Sequence, residues 1–280
     1  MSPSGPRPSL SEFISLHRST LERDEARHNL ILAMLAAATD GQSSDVMTWS
    51  LGVPGQCAVM SSTRFMVLAD IDGQQCRALA ELTTQLDYVG VVGPDQTAPS
   101  FARRAAELGT KFLAPMPQRI LRLAEKPKYP GCPGHPRLAT ADDVDLMADW
   151  TTGFIREAAP HDSMPSRERL ESMAHQGRHV FWIVDDQPVS MAAIARRTQH
   201  AAAISSVYTP PLLRGQGYGG SVTAAVVEHV FAASKTAACL YVDLRNPYSN
   251  RCYAKIGFAP VCDSWLYPRD NVAAVPPSPR

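Results

Sequence analysis

The 280-residue chain lacks an excess of either charge: Lys+Arg and Asp+Glu are both 27. A formal net charge of zero gives no basic face for nucleic acid and no acidic tail, so no nucleic-acid partner is expected. A long apolar run is also missing. The longest, around residues 30–38, falls well short of the roughly 20 residues that a membrane helix needs, so no membrane partner is expected. The opening MSPSGPRPSL has no apolar core of the secretory type, and residues 1–9 read as a disordered lead. The six cysteines include no C-x-x-C pair. That spacing predicts reduced thiols in the cytoplasm rather than a disulfide framework. Cys132 and His135 stand close together in GCPGHP without a second pair, so no metal site is expected.

What is present is enough apolar sequence, 45%, for a substantial core, and enough length for two domains. Residues 10–39 read as helical. Short strand-like runs follow at 46–51, 56–61 and 64–69, then a helical pattern at 74–86, a strand at 88–92, a helix at 100–108 and a strand at 118–125. The Pro/Gly-rich stretch 125–137 marks a domain boundary, with a linker at 127–136. The pattern then restarts. Thr140 and Asp143 have the spacing of a capping box opening a helix to about Glu157, and a second helix spans 167–175. Strands are predicted at 180–185, 189–196 and 201–209, a helix at 221–233, a strand at 238–244, a short helix at 249–255 and a last strand before Pro268. The expected organisation is a domain at 10–126, the linker, a second domain at 137–268 and a disordered tail at 269–280.

The stretch Arg214-Gly-Gln-Gly-Tyr-Gly-Gly220 precedes a helix. Glycines let backbone approach a ligand closely, and a helix start offers free N–H groups and a positive dipole end, which together suit a pyrophosphate. Gly215, Gly217 and Gly220 have the G-x-G-x-x-G spacing of a dinucleotide loop, with Asp243 placed as a ribose-binding acid. Against that reading, Pro210 to Arg214 separate the strand from the glycines, and the preceding strand is partly polar. The segments before the loop also look antiparallel.

Read as Arg-Gly-x-Gly-x-Gly after Val207-Tyr-Thr-Pro210, the same stretch resembles the pyrophosphate loop of the GNAT superfamily of acyl-CoA-dependent N-acyltransferases. VDLRNPYSNRCYAKIGF, residues 242–258, resembles the family's following strand, turn and helix. The resemblance covers residues 138 to about 267; the first half matches only in element order and looks like a degenerate copy without the loop. It implies an α/β fold with a mixed, mostly antiparallel sheet flanked by helices, in two similar tandem domains. It implies acetyl-CoA as co-substrate and a primary amine of a small molecule, amino acid or peptide as acceptor.

The resemblance also implies roles. The strands ending at Thr209 and starting near Ala238 would splay, freeing backbone of Val207, Tyr208 and Thr209 for the cofactor arm. Arg214, Gly215, Gln216, Gly217, Tyr218, Gly219 and Gly220 would cradle the pyrophosphate, and Asn246 would touch the cofactor or hold the turn. Tyr253 would be the general acid. The base is less defined: Ser205 and Ser206 are not bases, and Glu157, His161 and Asp162 are available, with Glu157 chosen. An NAD(P)-dependent oxidoreductase and a non-catalytic acyl-CoA-binding module stay open as alternatives, as does a homodimer.

Overall fold

The structure is a computed structural model, described here at residues 8–41, 45–61 and 65–270. Most of the expected lead and tail lies outside the described residues. Ser9, assigned to the lead, instead caps the first helix: its hydroxyl accepts from Glu12 N–H, and Glu12 accepts from Ser9 N–H at 2.8 Å.

Two compact units emerge. The first carries α1 (Leu10–Leu21), α2 (Asn29–Thr39), β1 (Met47–Ser50), β2 (Cys57–Met60), β3 (Met66–Leu68), α3 (Gly73–Leu82), β4 (Gly90–Pro94) and α4 (Thr97–Glu107). β5 (Met116–Leu123) carries the chain across the boundary after Ile120. The second unit holds β6 (His135–Leu138), α5 (Val144–Ala158), α6 (Arg167–His175), β7 (His179–Val184), β8 (Gln187–Arg197), β9 (Ala201–Tyr208), α7 (Tyr218–Ala232), β10 (Ala237–Asp243) and α8 (Pro247–Ile256). β11 (Ala259–Pro268) returns the chain to the first unit from Cys262 onward.

In the first unit β1, β2 and β3 are antiparallel, β3 and β4 parallel, and β4 and β11 antiparallel. Strand alternation feeds two cores. Ala58, Met60 and Met66 pack with Leu79 of α3 and Phe101 of α4, while Cys57, Val59 and Val67 pack with Phe13 of α1 and Ile31 of α2. The single helix expected at 10–39 is two helices. The charged run Glu22-Arg23-Asp24 forms one 3-10 turn and offers no apolar face to continue α1. After β3, Asp72 caps α3 by accepting from Gln74 and Gln75 N–H, and Gln75 Oε1 accepts from Asp72 N–H.

The second unit repeats this order of elements: two helices, three antiparallel strands, a helix, a parallel strand, a helix. Phe181, Met191 and Tyr208 face Val144, Met147 and Leu170 of α5 and α6. On the other face Val180, Ala192 and Ile194 meet Val222, Val226 and Val230 of α7. The strand pairing in each unit is thus mixed and mostly antiparallel, and the two units follow a similar order of elements.

Two boundaries differ from expectation. The stretch 127–136 is not a free linker but part of the second unit. Its apolar and aromatic groups find partners there: Tyr129 donates to Glu228 at 2.7 Å, Trp182 Nε1 donates to the Pro133 carbonyl at 2.9 Å, and Pro130 packs on Gly220. The last strand, expected in the second domain, pairs with β4 from Ser264↔Pro94 to Pro268↔Gly90. Its Leu266 fills the first unit's core.

Candidate active site

β9 carries a bulge. Met191 faces Tyr208 and Ala193 faces Ser205, so Ser206 and Val207 stand opposite the single residue Ala192, and Ser206 takes φ +52°. On its other edge β9 pairs with β10 only from Ala201↔Ala237 to Ile204↔Leu240. Past that point the two strands share no register. The bulge re-aims the strand where the sequence places the loop, so the expected splay has a local cause.

The loop then runs through a 3-10 turn, Pro211–Leu213, into α7. Gly217 is the helix N-cap at φ +88° and no side chain caps α7. The first bond of helical type is Ser221 N–H to the Gly217 carbonyl, 3.0 Å. N–H groups of Tyr218, Gly219 and Gly220 therefore precede it, at the positive end of the helix dipole. Gly215 sits at φ +83° with nothing within 4 Å of where a Cβ would stand. This is a backbone cradle whose donor set and charge suit a pyrophosphate. α7 starts three residues earlier than expected, so Gly219 and Gly220 belong to the helix itself. Tyr218 is buried and its hydroxyl donates to Gln216 Oε1 at 2.9 Å, which ties the loop to the core.

Some expected cofactor contacts are already used by the protein. The Thr209 carbonyl accepts from Arg214 Nε at 2.9 Å. The Tyr208 carbonyl accepts from the fully buried Ser190 hydroxyl at 3.0 Å. With that proton committed, the Thr209 hydroxyl must donate to Ser190 Oγ, 2.8 Å away. The Tyr208 ring turns to the α5 side: a Cβ on Gly153 would come within 2.5 Å of its hydroxyl, and Trp150 lies 6.2 Å away ring to ring. Val207 stays at the bulge, partly buried against the α7 core. Ser190 carried no sequence signal, because one serine in an apolar strand looks like any other.

Arg214 and Glu157, assigned separately to cofactor and base, meet: the guanidinium donates to Glu157 Oε2 at 2.6 Å, while Oε1 lies 3.4 Å from Arg156. Asn246 is the N-cap of α8, accepting from Ser249 N–H at 3.1 Å. Asn250 holds the same turn by donating to the carbonyls of Asp243 and Asn246. The Asp243 carboxylate is engaged by Arg245 at 3.0 Å. Tyr253 lies on α8, buried and edge-on to Phe258 at 5.9 Å. Burial, with Cys252 beside it, pushes the Tyr253 phenol well above its ordinary range and keeps it protonated. Burial lowers the pKa of His161, near the end of α5, from its ordinary value. No group of three or more metal-ligating side chains occurs among the described residues, and no described helix is long and apolar enough to cross a membrane.

Residues 144–258 match the acetyltransferase (GNAT) family model. No curated protein matches the sequence. Solved structures of similar fold include a Drosophila protein, 14% identical, with a TM-score of 0.70 over 95% of this chain and 99% of that one. A GCN5-related N-acetyltransferase from Kribbella flavida is 16% identical, with a TM-score of 0.55 over 86% and 96%. The tandem GNAT protein from the clavulanic acid biosynthesis pathway is 12% identical, with a TM-score of 0.51 over 86% and 88%.

Proposed function

With a GNAT acetyltransferase domain over residues 144–258 as its premise, we propose that this chain moves an acetyl group from acetyl-CoA to a primary amine of a small molecule, amino acid or peptide. The observation that carries the reading is the junction of two features: β9 and β10 part after Ile204↔Leu240, and the uncapped start of α7 follows. Acetyl-CoA supplies an activated thioester. The N–H groups from Gly215 to Gly220 hold its pyrophosphate, and the bulged end of β9 at Val207 offers backbone to the pantetheine arm as an added strand would. Tyr253 is the group assigned to give its proton to the departing sulfur, a transfer that the burial raising its phenol pKa makes harder. Asn246 and Asn250 fix the turn that carries α8. The proposal also assigns the chain to the reducing cytoplasm, where its cysteines would stay reduced.

A dinucleotide oxidoreductase is disfavoured by the antiparallel strands β7, β8 and β9 before the loop and by the pairing of Asp243 with Arg245. Thermal shift with acetyl-CoA, NAD and NADP tests the choice. Acetyl-CoA at 100 times its Kd should stabilise the fold by about 2.7 kcal/mol. Stabilisation by NAD and none by acetyl-CoA would refute the proposal. An amine screen with acetyl-CoA then separates an enzyme from a module that binds the cofactor without turnover.

A further inference from the structure

Arg214 is the only charged residue between Tyr208 and Gly220. It directly precedes the glycine cradle, and two of its guanidinium nitrogens are already engaged by the protein. Nε donates to the Thr209 carbonyl at 2.9 Å, a terminal nitrogen donates to Glu157 at 2.6 Å, and the group lies 5.8 Å from the centre of the Tyr208 ring. Glu157 sits on the last turn of α5. Both partners are partly exposed, 47% and 33%. Exposed pairs of this kind are weak. A pyrophosphate at the start of α7 carries more charge than one carboxylate and is helped by the helix dipole, so it can outbid Glu157 for the guanidinium.

We propose that Arg214 exchanges partners: the cofactor's pyrophosphate draws its guanidinium away from Glu157, and the freed Oε2 of that carboxylate, whose Oε1 stays beside Arg156 at the end of α5, becomes the site for the acceptor's ammonium group. Glu157 is then an internal competitor of the cofactor and its partner in turn. The proposal rests on the reading that coenzyme A binds at the glycine loop. It differs in sign from a bracing role. If Glu157 merely braced Arg214, removing its charge would loosen the loop and weaken the cofactor.

Calorimetric titration of coenzyme A into wild type, Glu157→Gln, Arg214→Gln and the double variant decides the sign. Exchange predicts that Glu157→Gln binds about threefold to fivefold more tightly, the most that loss of one exposed competing pair can give. Arg214→Gln should bind more weakly, and Glu157→Gln should add nothing on top of it, because the two act through one contact. Unchanged or weaker binding by Glu157→Gln overturns the exchange while leaving the cofactor reading intact. A wild type that does not bind coenzyme A at all removes the cofactor reading, and the exchange with it. With an amine that wild type acetylates, Glu157→Gln should raise the acceptor KM; an unchanged KM refutes the carboxylate's part.

Discussion

Pro130 lies against Gly220: a Cβ built on the glycine would come within 2.7 Å of Pro130 Cγ and 3.3 Å of Cys252 Sγ. The glycine-rich loop therefore answers to close packing by a proline from within, besides the close approach by a ligand proposed above.

These demands separate experimentally. Gly220→Ala should destabilise the protein by about 1–3 kcal/mol through overpacking. Gly217→Val, the obvious test of a phosphate cradle, is compromised in the same way, since a Cβ there lies 3.3 Å from Pro130 Cβ at φ +88°. Gly215→Ala has open space and only the cost of a left-handed alanine, about 1–2 kcal/mol. Urea unfolding should rank Gly220→Ala below wild type, and calorimetry should find weaker coenzyme A binding for Gly215→Ala. Equal stability of Gly220→Ala and wild type would mean that Pro130 yields.

Tyr253→Phe removes a hydroxyl and keeps the ring against Phe258. If the phenol protonates the leaving sulfur, kcat should drop by roughly 10²–10⁴ with little change in the KM for acetyl-CoA. A thiol has an ordinary pKa near 8.5, so a thiolate can leave unaided and the drop should sit at the low end. Steady-state kinetics within threefold of wild type would make Tyr253 a packing residue.

One coenzyme A should bind per chain. The helix start after β3, which corresponds in element order to that after β9, is filled by the Asp72 carboxylate accepting from two N–H groups. That resident negative charge repels a phosphate. Asp72→Ala should cost about 0.5–2 kcal/mol as a lost cap and leave the titration stoichiometry at one. A wild-type value near two would show a working site in the first unit.

Stability should fall in mild acid. Burial, with Arg178 adjoining, pulls His179 down to about 4, and no partner satisfies its buried Nδ1. The folded chain keeps this ring neutral to about pH 4, whereas an unfolded histidine protonates near 6.5. Between those values the unfolded state binds more protons, so stability declines as pH drops from about 6.5 to 4 and levels off below. The loss from this group should approach about 3 kcal/mol. His17 and His28, also lowered by burial, push the same way. Urea midpoints at pH 7 and 5 should converge in His179→Leu; the same slope in the variant would assign the effect to the other histidines.

Local features were legible in the sequence because their causes are local. The capping box at Thr140 and Asp143 forms as its spacing predicts, and α6 spans the expected residues. The loop, its helix and α8 follow in the expected order. What escaped depends on partners far along the chain. Nothing local marks Ser206 for positive φ, Ser190 as the clamp on Tyr208, or Glu157 as the partner of Arg214 57 positions away. The proline-rich stretch read as a spacer because proline lowers helix and strand propensity. It also packs well on glycine, and that contact needs the fold to exist.

The pairing of β11 with β4 has a consequence for how the chain is made. During synthesis β4 emerges some 170 residues before its Ser264–Pro94 partner row. Until the ribosome has released the final strand, one edge of the N-terminal half stands open, and open edges recruit wrong strands. The half that is translated first is thus completed last. Chains stalled or cut before Ala259 should be cleared or aggregate through that edge, whatever the state of the glycine loop.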